Sequence, residues 1–273
     1  MSDPEQKFLE MFNGLSGYRL NQVGLSSYDP SKPTTIITHG YAPGGYTGGT
    51  KLLKLADAVY NNGSNQFRGG NVYYFTWPSF GLLYDYPKLA ARVVGVGKDL
   101  SKFLNLLTPS QDIQMFGFSL GAHLVGNAGE EYKGSNLKMI IGLDPAGPLF
   151  ENDLYLTPTG YARLLLVNTL DEPTNRLDRT DARRVVSIHT SDSVGYNKRR
   201  GARKDLANLI LHVRGRRGWR ALSAHEFSID VLTAILKRSD LKVDGYSIQR
   251  LFYDSHYDKT AAQERWISYK AFQ

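Results

Sequence analysis

"QMFGFSLGAHLVGNAG", residues 114–129, sets a serine between two glycines where an apolar run passes into a helical pattern. Gly117-Phe118-Ser119-Leu120-Gly121 is a G-x-S-x-G pentapeptide, and its surroundings decide how the chain is read. The preceding run 112–118 (DIQMFGF) has the composition of a buried strand, and residues 120–132 can form a helix. A strand running straight into a serine and then a helix is the context a nucleophile elbow requires. The glycines then have a steric purpose, because a sharp turn brings strand and helix too close for Cβ atoms at those positions. Such a turn would lift Ser119 above the carboxyl edge of a sheet and aim the Leu120 amide at a developing oxyanion, with the helix dipole adding to the field. The competing reading is an ordinary glycine-rich turn that contains a serine.

Outward from the elbow, four further runs have the same strand-like character: 34–39 (TTIITH), 71–77 (NVYYFTW), 137–144 (LKMIIGLD) and 182–190 (ARRVVSIHT). Their β-branched and aromatic content, without clean alternation, suits a parallel sheet covered on both faces. Helical patterns fall between them, at 51–60, at 87–107 with Pro87 in the first turn, and at 223–238 with Ser223 as cap candidate. The alternation predicts an α/β fold with right-handed crossovers, a mostly parallel central sheet flanked by helices. No internal repeat or linker stands out. The expectation is a single domain over 1–273, with 1–32 as an N-terminal extension packed on or flanking it.

At 41% apolar and 12% aromatic residues, the chain of 273 can bury a large core, which argues against disorder. No run approaches the roughly 20 apolar residues that span a bilayer. The first residues, "MSDPEQKFLE", carry acidic groups where a secretory signal has basic ones and lack an apolar core. The absence of cysteine excludes disulfides, thiolate chemistry and cysteine-ligated metals. The net charge of +7 is concentrated in 197–220, "NKRRGARKDLANLILHVRGRRGWR", with nine lysines and arginines against one aspartate.

A serine nucleophile needs an acid and a base, in the chain order Ser, Asp or Glu, His in α/β-hydrolases. Asp144, in "GLDPAGPLF", falls at the carboxyl tip of the next strand, where open α/β sheets collect functional groups. A plain Asp-Pro turn is the alternative. Of the six histidines, His39 and His123 precede the acid, and His189 lies inside an apolar strand as a core histidine would. His212 sits in the basic segment and His256 in a tyrosine-rich tail. His225, in "LSAHEF", follows the last predicted strand, but spacing alone does not single it out.

Taken together, "ITHGY", "GFSLGAHLVGNAG", "IGLDPAGPLF" and "DARRVVSIHTSD" resemble the pancreatic lipase family, which includes triacylglycerol lipases, lipoprotein lipases and phospholipases A1. The resemblance runs from about residue 33 to 255. It implies Ser119 as nucleophile, Asp144 as acid and His225 as base, with Tyr41 and Leu120 donating the oxyanion-hole amides. It also implies a structural calcium at Asp178 and Asp181 in "NRLDRTDARR", with Arg176 able to lend a carbonyl. Glu172 falls one place off the family's upstream ligand, and 151–172 reads as an insertion. Salt bridges from both aspartates to Arg183 or Arg184 are therefore the favoured expectation over calcium, and no cofactor is required.

The family's secreted members carry a signal sequence and disulfides, and many a C-terminal β-sandwich. With none of these legible here, the expectation is an intracellular or virus-associated setting. The family's lid lies between the "IHT" strand and the catalytic histidine. Here that interval, 191–224, is short and mostly basic, as in relatives inclined to phospholipase A1 or galactolipase activity. The basic segment reads as a solvated face, a nucleic-acid site, or a rim facing anionic lipid. Its place beside the active-site mouth favours the rim, with Arg214, Arg216, Arg217 and Trp219 at the membrane and Leu209, Ile210 and Leu211 inserting. Two functions remain in play: a lipid acyl hydrolase with a Ser-His-Asp acyl-enzyme mechanism, or a retired lipase fold with a structural, storage or packaging role. Self-assembly is left open.

Overall fold

All five apolar runs become strands of one eight-stranded sheet. The computed structural model describes residues 3–12, 14, 16–24, 27–43, 49–62, 67–81, 86–147, 149–150, 172–191, 206–214, 221–253 and 262–273. The chain opens with α1 (Pro4–Glu10), β1 (Arg19–Val23), β2 (Thr34–Thr38), a short β3 (Ala42–Pro43) and α2 (Gly49–Asn62). Next come β4 (Asn71–Thr76), a short β5 (Phe80–Gly81), α3 (Tyr86–Leu104), β6 (Ile113–Phe118), α4 (Leu120–Glu131) and β7 (Leu137–Leu143). The second half supplies β8 (Val185–His189), β9 (Leu209–Arg214), α5 (Ala221–Lys237), β10 (Lys242–Val243), β11 (Tyr246–Ser247), α6 (Ile248–Tyr253) and β12 (Gln263–Ser268).

The sheet order is β1-β4-β2-β6-β7-β8-β9-β12. Only β1 runs antiparallel, on β4; every other neighbour is parallel. The missing alternation in the sequence has a direct cause. Ile36 and Ile37 point to opposite faces, and each face has its own apolar layer, so both are fully buried. One face packs on α3 and α4 through Val93, Leu100, Leu124 and Val125. The other packs on α2, α5 and α6 through Leu52, Ile229, Leu232 and Phe252.

Three strands of this sheet lie outside the sequence reading. β1 and β12 are the two edges of the sheet, and edge strands such as RLNQV and QERWIS carry too little apolar signal to stand out. β1 also makes residues 19–23 part of the sheet, and Phe8 of α1 is buried against Phe75 and Phe103 at centroid distances of 6.1 and 5.6 Å. The third, β9, corrects an expectation. Leu209, Ile210 and Leu211 are 1%, 0% and 1% exposed between β8 and β12, so they do not insert into a membrane. The charges on either side hid a six-residue strand. β9 also takes up part of the interval read as a lid. Ser223 lies inside the first turn of α5, which begins at Ala221, rather than capping it. Because β12 follows α5, His225 does not come after the last strand.

Candidate active site

The elbow is built by steric exclusion. A Cβ on Gly117 would collide with the backbone of Gly121, and one on Gly121 would lie 2.5 Å from the His39 carbonyl oxygen. Between them Ser119 holds φ 58° and ψ −121°. A non-glycine residue in such a region costs about 1–3 kcal/mol and persists only where its surroundings over-determine it. They do so here: Ser119 N donates to the Leu143 carbonyl at the tip of β7 (3.0 Å), and the Ser119 carbonyl accepts from Ala122 N (3.0 Å).

Asp144 follows β7 directly, fully buried at φ 45°, with its amide donating to the Ile188 carbonyl of β8 (2.7 Å). Its Oδ1 accepts from the amides of Thr190 (3.0 Å) and Ser191 (3.4 Å). Its Oδ2 accepts from His225 Nδ1 at 2.6 Å and from Ser191 Oγ. His225 comes from the first turns of α5, is nearly buried, and packs its ring 4.6 Å from that of Phe118, the residue before Ser119. Of the three residues read from the sequence, Asp144 and His225 thus pair directly at the carboxyl edge of the sheet, and Ser119 follows Phe118, whose ring lies against the imidazole.

The loop after β2 closes the other side. A Cβ on Gly40 would fall 2.5 Å from Ser119 Cβ and 3.1 Å from Leu120 N, so the Gly40-Tyr41 peptide lies against the elbow. His39 sets that peptide's orientation. Its Nδ1–H donates to the Gly40 carbonyl (2.9 Å), and its Nε2 accepts from the Trp77 amide (3.3 Å). The ring stacks on Trp77 at 5.8 Å and 4°, and Trp77 Nε1 donates to the His39 carbonyl (3.1 Å). Burial pushes the His39 value down to about 4, so it is neutral at pH 7 and keeps one tautomer. A planar peptide links the Gly40 carbonyl to the Tyr41 N–H, so fixing one fixes the other.

Three of the remaining histidines are internal braces. His123 donates from Nε2 to the Ala146 carbonyl (2.8 Å), accepts from Leu177 N at Nδ1 (3.1 Å), and stacks on Phe150 at 3.8 Å. Burial pushes its value down to about 3. His189 pairs with Ser187 Oγ (2.7 Å), as a core histidine should. His212 lies in β9, 3.5 Å from Glu264 and stacked on Trp266. His256 lies outside the described residues.

Comparison with known proteins bears on the same region. Residues 15–158, which include the elbow and Asp144, match the family model described as Lipase. The chain belongs to the pancreatic lipase family. Lipase member H of Rattus norvegicus is 32% identical over 67% of this chain and 36% of its own length. Hepatic triacylglycerol lipase of Mus musculus is 27% identical over 83% of this chain and 45% of its own. The chain therefore spans less than half the length of these relatives. Among solved structures, an α/β serine hydrolase described as lidless, from Xanthomonas campestris, is similar at TM-score 0.37 and 13% identity over 66% of each chain.

The lipase family implies calcium at Asp178 and Asp181, and the contacts there differ from the expected salt bridges. Asp178 Oδ1 accepts from Thr180 N (2.9 Å) and Thr180 Oγ1 (2.6 Å), and Asp181 Oδ2 accepts from Asp178 N (2.6 Å). Arg184 turns elsewhere, its Nη1 donating to the Phe252 carbonyl (2.7 Å). Asp181 Oδ1 is buried without a hydrogen-bond partner among the described residues. Burial, with Asp178 and Glu130 adding like charge, holds its carboxyl well above the usual carboxylate range. Two adjacent carboxylates with one spare buried oxygen suit a hard cation. No group of three or more acidic, histidine or cysteine side chains that could hold a metal occurs among the described residues, so backbone carbonyls would complete the set.

Of the rim expected for a lipase at a charged surface, only Arg214 lies within the described residues. It is exposed at the end of β9, its guanidinium 5.4 Å from the Trp266 ring centroid. Arg216, Arg217 and Trp219 lie outside the described residues. Sequence reasoning passed over Thr190, Ser191, His39 and Trp77. The first two carried a signal, a pair of hydroxyl residues just past a strand tip beside the acid.

Proposed function

We propose that this protein is a serine carboxylester hydrolase acting on lipid acyl esters, of phospholipase A1 or lipase type. The observation that carries the reading is the 2.6 Å contact of His225 Nδ1 with Asp144 beside a serine held at positive φ. With Nδ1 engaged by the carboxylate, His225 Nε2 is the nitrogen that takes the Ser119 proton as Oγ attacks the ester carbonyl. The Tyr41 and Leu120 amides receive the negative charge of the tetrahedral intermediate. One such donor is typically worth about 10²–10³ in rate. His225 returns its proton to the leaving alcohol, and water then releases the acyl group by the same exchange. Asp144 keeps the imidazole tautomer and stabilises the imidazolium.

The chemistry as read needs no cofactor. Calcium held by the Asp178 and Asp181 carboxylates would supply a cross-link between loops and no reacting group. Phospholipid is favoured over triglyceride because β9 takes six residues from the interval in which relatives carry a lid. Arg214 supports an anionic lipid face.

The test is fluorophosphonate labelling and ester turnover by the purified chain and by Ser119→Ala and His225→Ala, with and without zwitterionic or anionic phospholipid vesicles. The expected result is labelling of the native protein alone, and a loss of turnover of about 10⁴-fold or more in each variant. Unchanged turnover in Ser119→Ala removes the assignment. Silence of the native protein on every surface favours the retired fold.

A further inference from the structure

The residues just past β8 bind the acid directly and the residue before the base. β7 and β8 run parallel with Leu143 opposite Ile188, so the chain beyond His189 passes over the tip of β7, where Asp144 sits. Thr190 and Ser191 each give an amide to Asp144 Oδ1, and Ser191 Oγ–H donates to Oδ2, the oxygen that also accepts from His225. Thr190 uses its remaining donor elsewhere: its Oγ1–H is bonded to the Ala224 carbonyl, one residue before His225, at 2.7 Å. A carboxylate offers about four acceptor positions, and four donors converge on this one. Asp144 and Ser191 are both fully buried, so water does not substitute for a missing donor.

We propose that Thr190 and Ser191 form a positioning clamp that sets the distance and angle between Asp144 and His225, with the Ser191 hydroxyl dividing the charge of Oδ2 between itself and the imidazole. Neither residue touches the reacting atoms. Ser191 fixes the rotation of the carboxylate about its Cβ–Cγ bond, so that Oδ2 faces His225. Thr190 ties the first turn of α5 to the same strand end, so that the ring arrives at that oxygen. The inference rests on the reading of Ser119, Asp144 and His225 as a catalytic set, and its test has one readout that does not depend on turnover.

The experiment compares the native chain with Ser191→Cys, Ser191→Ala and Thr190→Val. Cysteine keeps the shape with a weaker donor, and the chain has no other cysteine to pair with it. The first readout is the far-downfield proton NMR signal of His225 Nδ1–H, identified by its loss in His225→Ala. The second is kcat and KM on a short-chain nitrophenyl ester, and the third is the thermal transition. The expected result is an unchanged KM and a graded fall in kcat, smallest for Cys and about tenfold or more for Ala. The downfield signal shifts in the same order, and the variants keep a cooperative transition. Thr190→Val leaves both amides in place, and the proposal requires it to broaden the signal and lower kcat. An unmoved signal with unchanged kcat in Ser191→Ala overturns the clamp. If the native protein turns over no ester, the hydrolase reading fails; an unmoved NMR signal then overturns the clamp separately, and a shifted one upholds it. Should Ser191→Ala not fold, Ser191→Cys and Thr190→Val decide by the same readouts.

Discussion

Gly40 shows how little room the site leaves a single residue. A methyl group there would meet Ser119 Cβ at 2.5 Å and the Phe118 carbonyl at 2.7 Å, and neither the strained serine nor the strand end can retreat. Gly40→Ala should therefore push the Gly40-Tyr41 peptide off the elbow. The fluorophosphonate labelling rate should drop by about 10²-fold, as expected when a reacting group moves by about an ångström. A labelling rate within twofold of the native value would show that the loop does not work against Ser119. Ser119 and Asp144 were legible because each ends a predicted strand. His39 was set aside because it precedes the acid in the chain. Its fixed tautomer depends on Trp77, which lies 38 residues further on, and local sequence carries no trace of that contact.

At the level of elements, α4 is held from behind by the loop that carries the two aspartates. Asn127 Nδ2 donates to the Asn175 carbonyl (3.0 Å), and a Cβ on Gly126 would touch Asp181 Oδ2 at 2.8 Å. His123 links this loop to the Ala146 carbonyl in the turn after Asp144. A cation at the spare Asp181 oxygen would therefore tighten the helix on which the elbow rests. Adding millimolar calcium to chelator-treated protein should raise the thermal midpoint by about 2–4 °C, the shift expected when binding adds about 1 kcal/mol to a chain of this size. Asp181→Asn should abolish the response. A midpoint indifferent to calcium would assign the spare oxygen to a retained proton instead. Gly126 and Gly129, which seat the loop against α4, were visible as letters, but the loop residues they meet, Leu177 and Asp181, come from more than 50 residues away.

Across the whole molecule, two buried histidines, His39 and His123, weaken the fold in acid, while Asp181, whose carboxyl burial holds well above the usual range, works in the opposite direction. His39 and His123 have folded values of about 4 and about 3, below the ordinary 6.5 that the unfolded chain keeps. As pH falls below about 6.5, the unfolded chain takes up protons that the fold refuses, so stability drops towards the folded values. At pH 5 each group should cost about 2 kcal/mol relative to pH 7. Denaturant midpoints measured from pH 7 to pH 5 should fall accordingly, and His123→Gln should halve the slope. A profile in His123→Gln as steep as that of the native protein would mean that the His123 ring is already protonated in the fold.

What the sequence determined by itself was the sequence of strands and helices through the centre of the sheet and the serine that ends one of them. Apolar runs and glycine sterics act over a few residues and leave their mark in the letters. The edge strands β1 and β12, half exposed, leave no such mark, and β9 was hidden by the charges around it. Only the tertiary structure decided that Leu209–Leu211 belong to the interior, and only it brought His225, Thr190 and Ser191 around Asp144. The reason is physical. A buried carboxylate must be satisfied by donors from wherever the parallel register places them, and that register follows from packing two apolar layers onto one sheet.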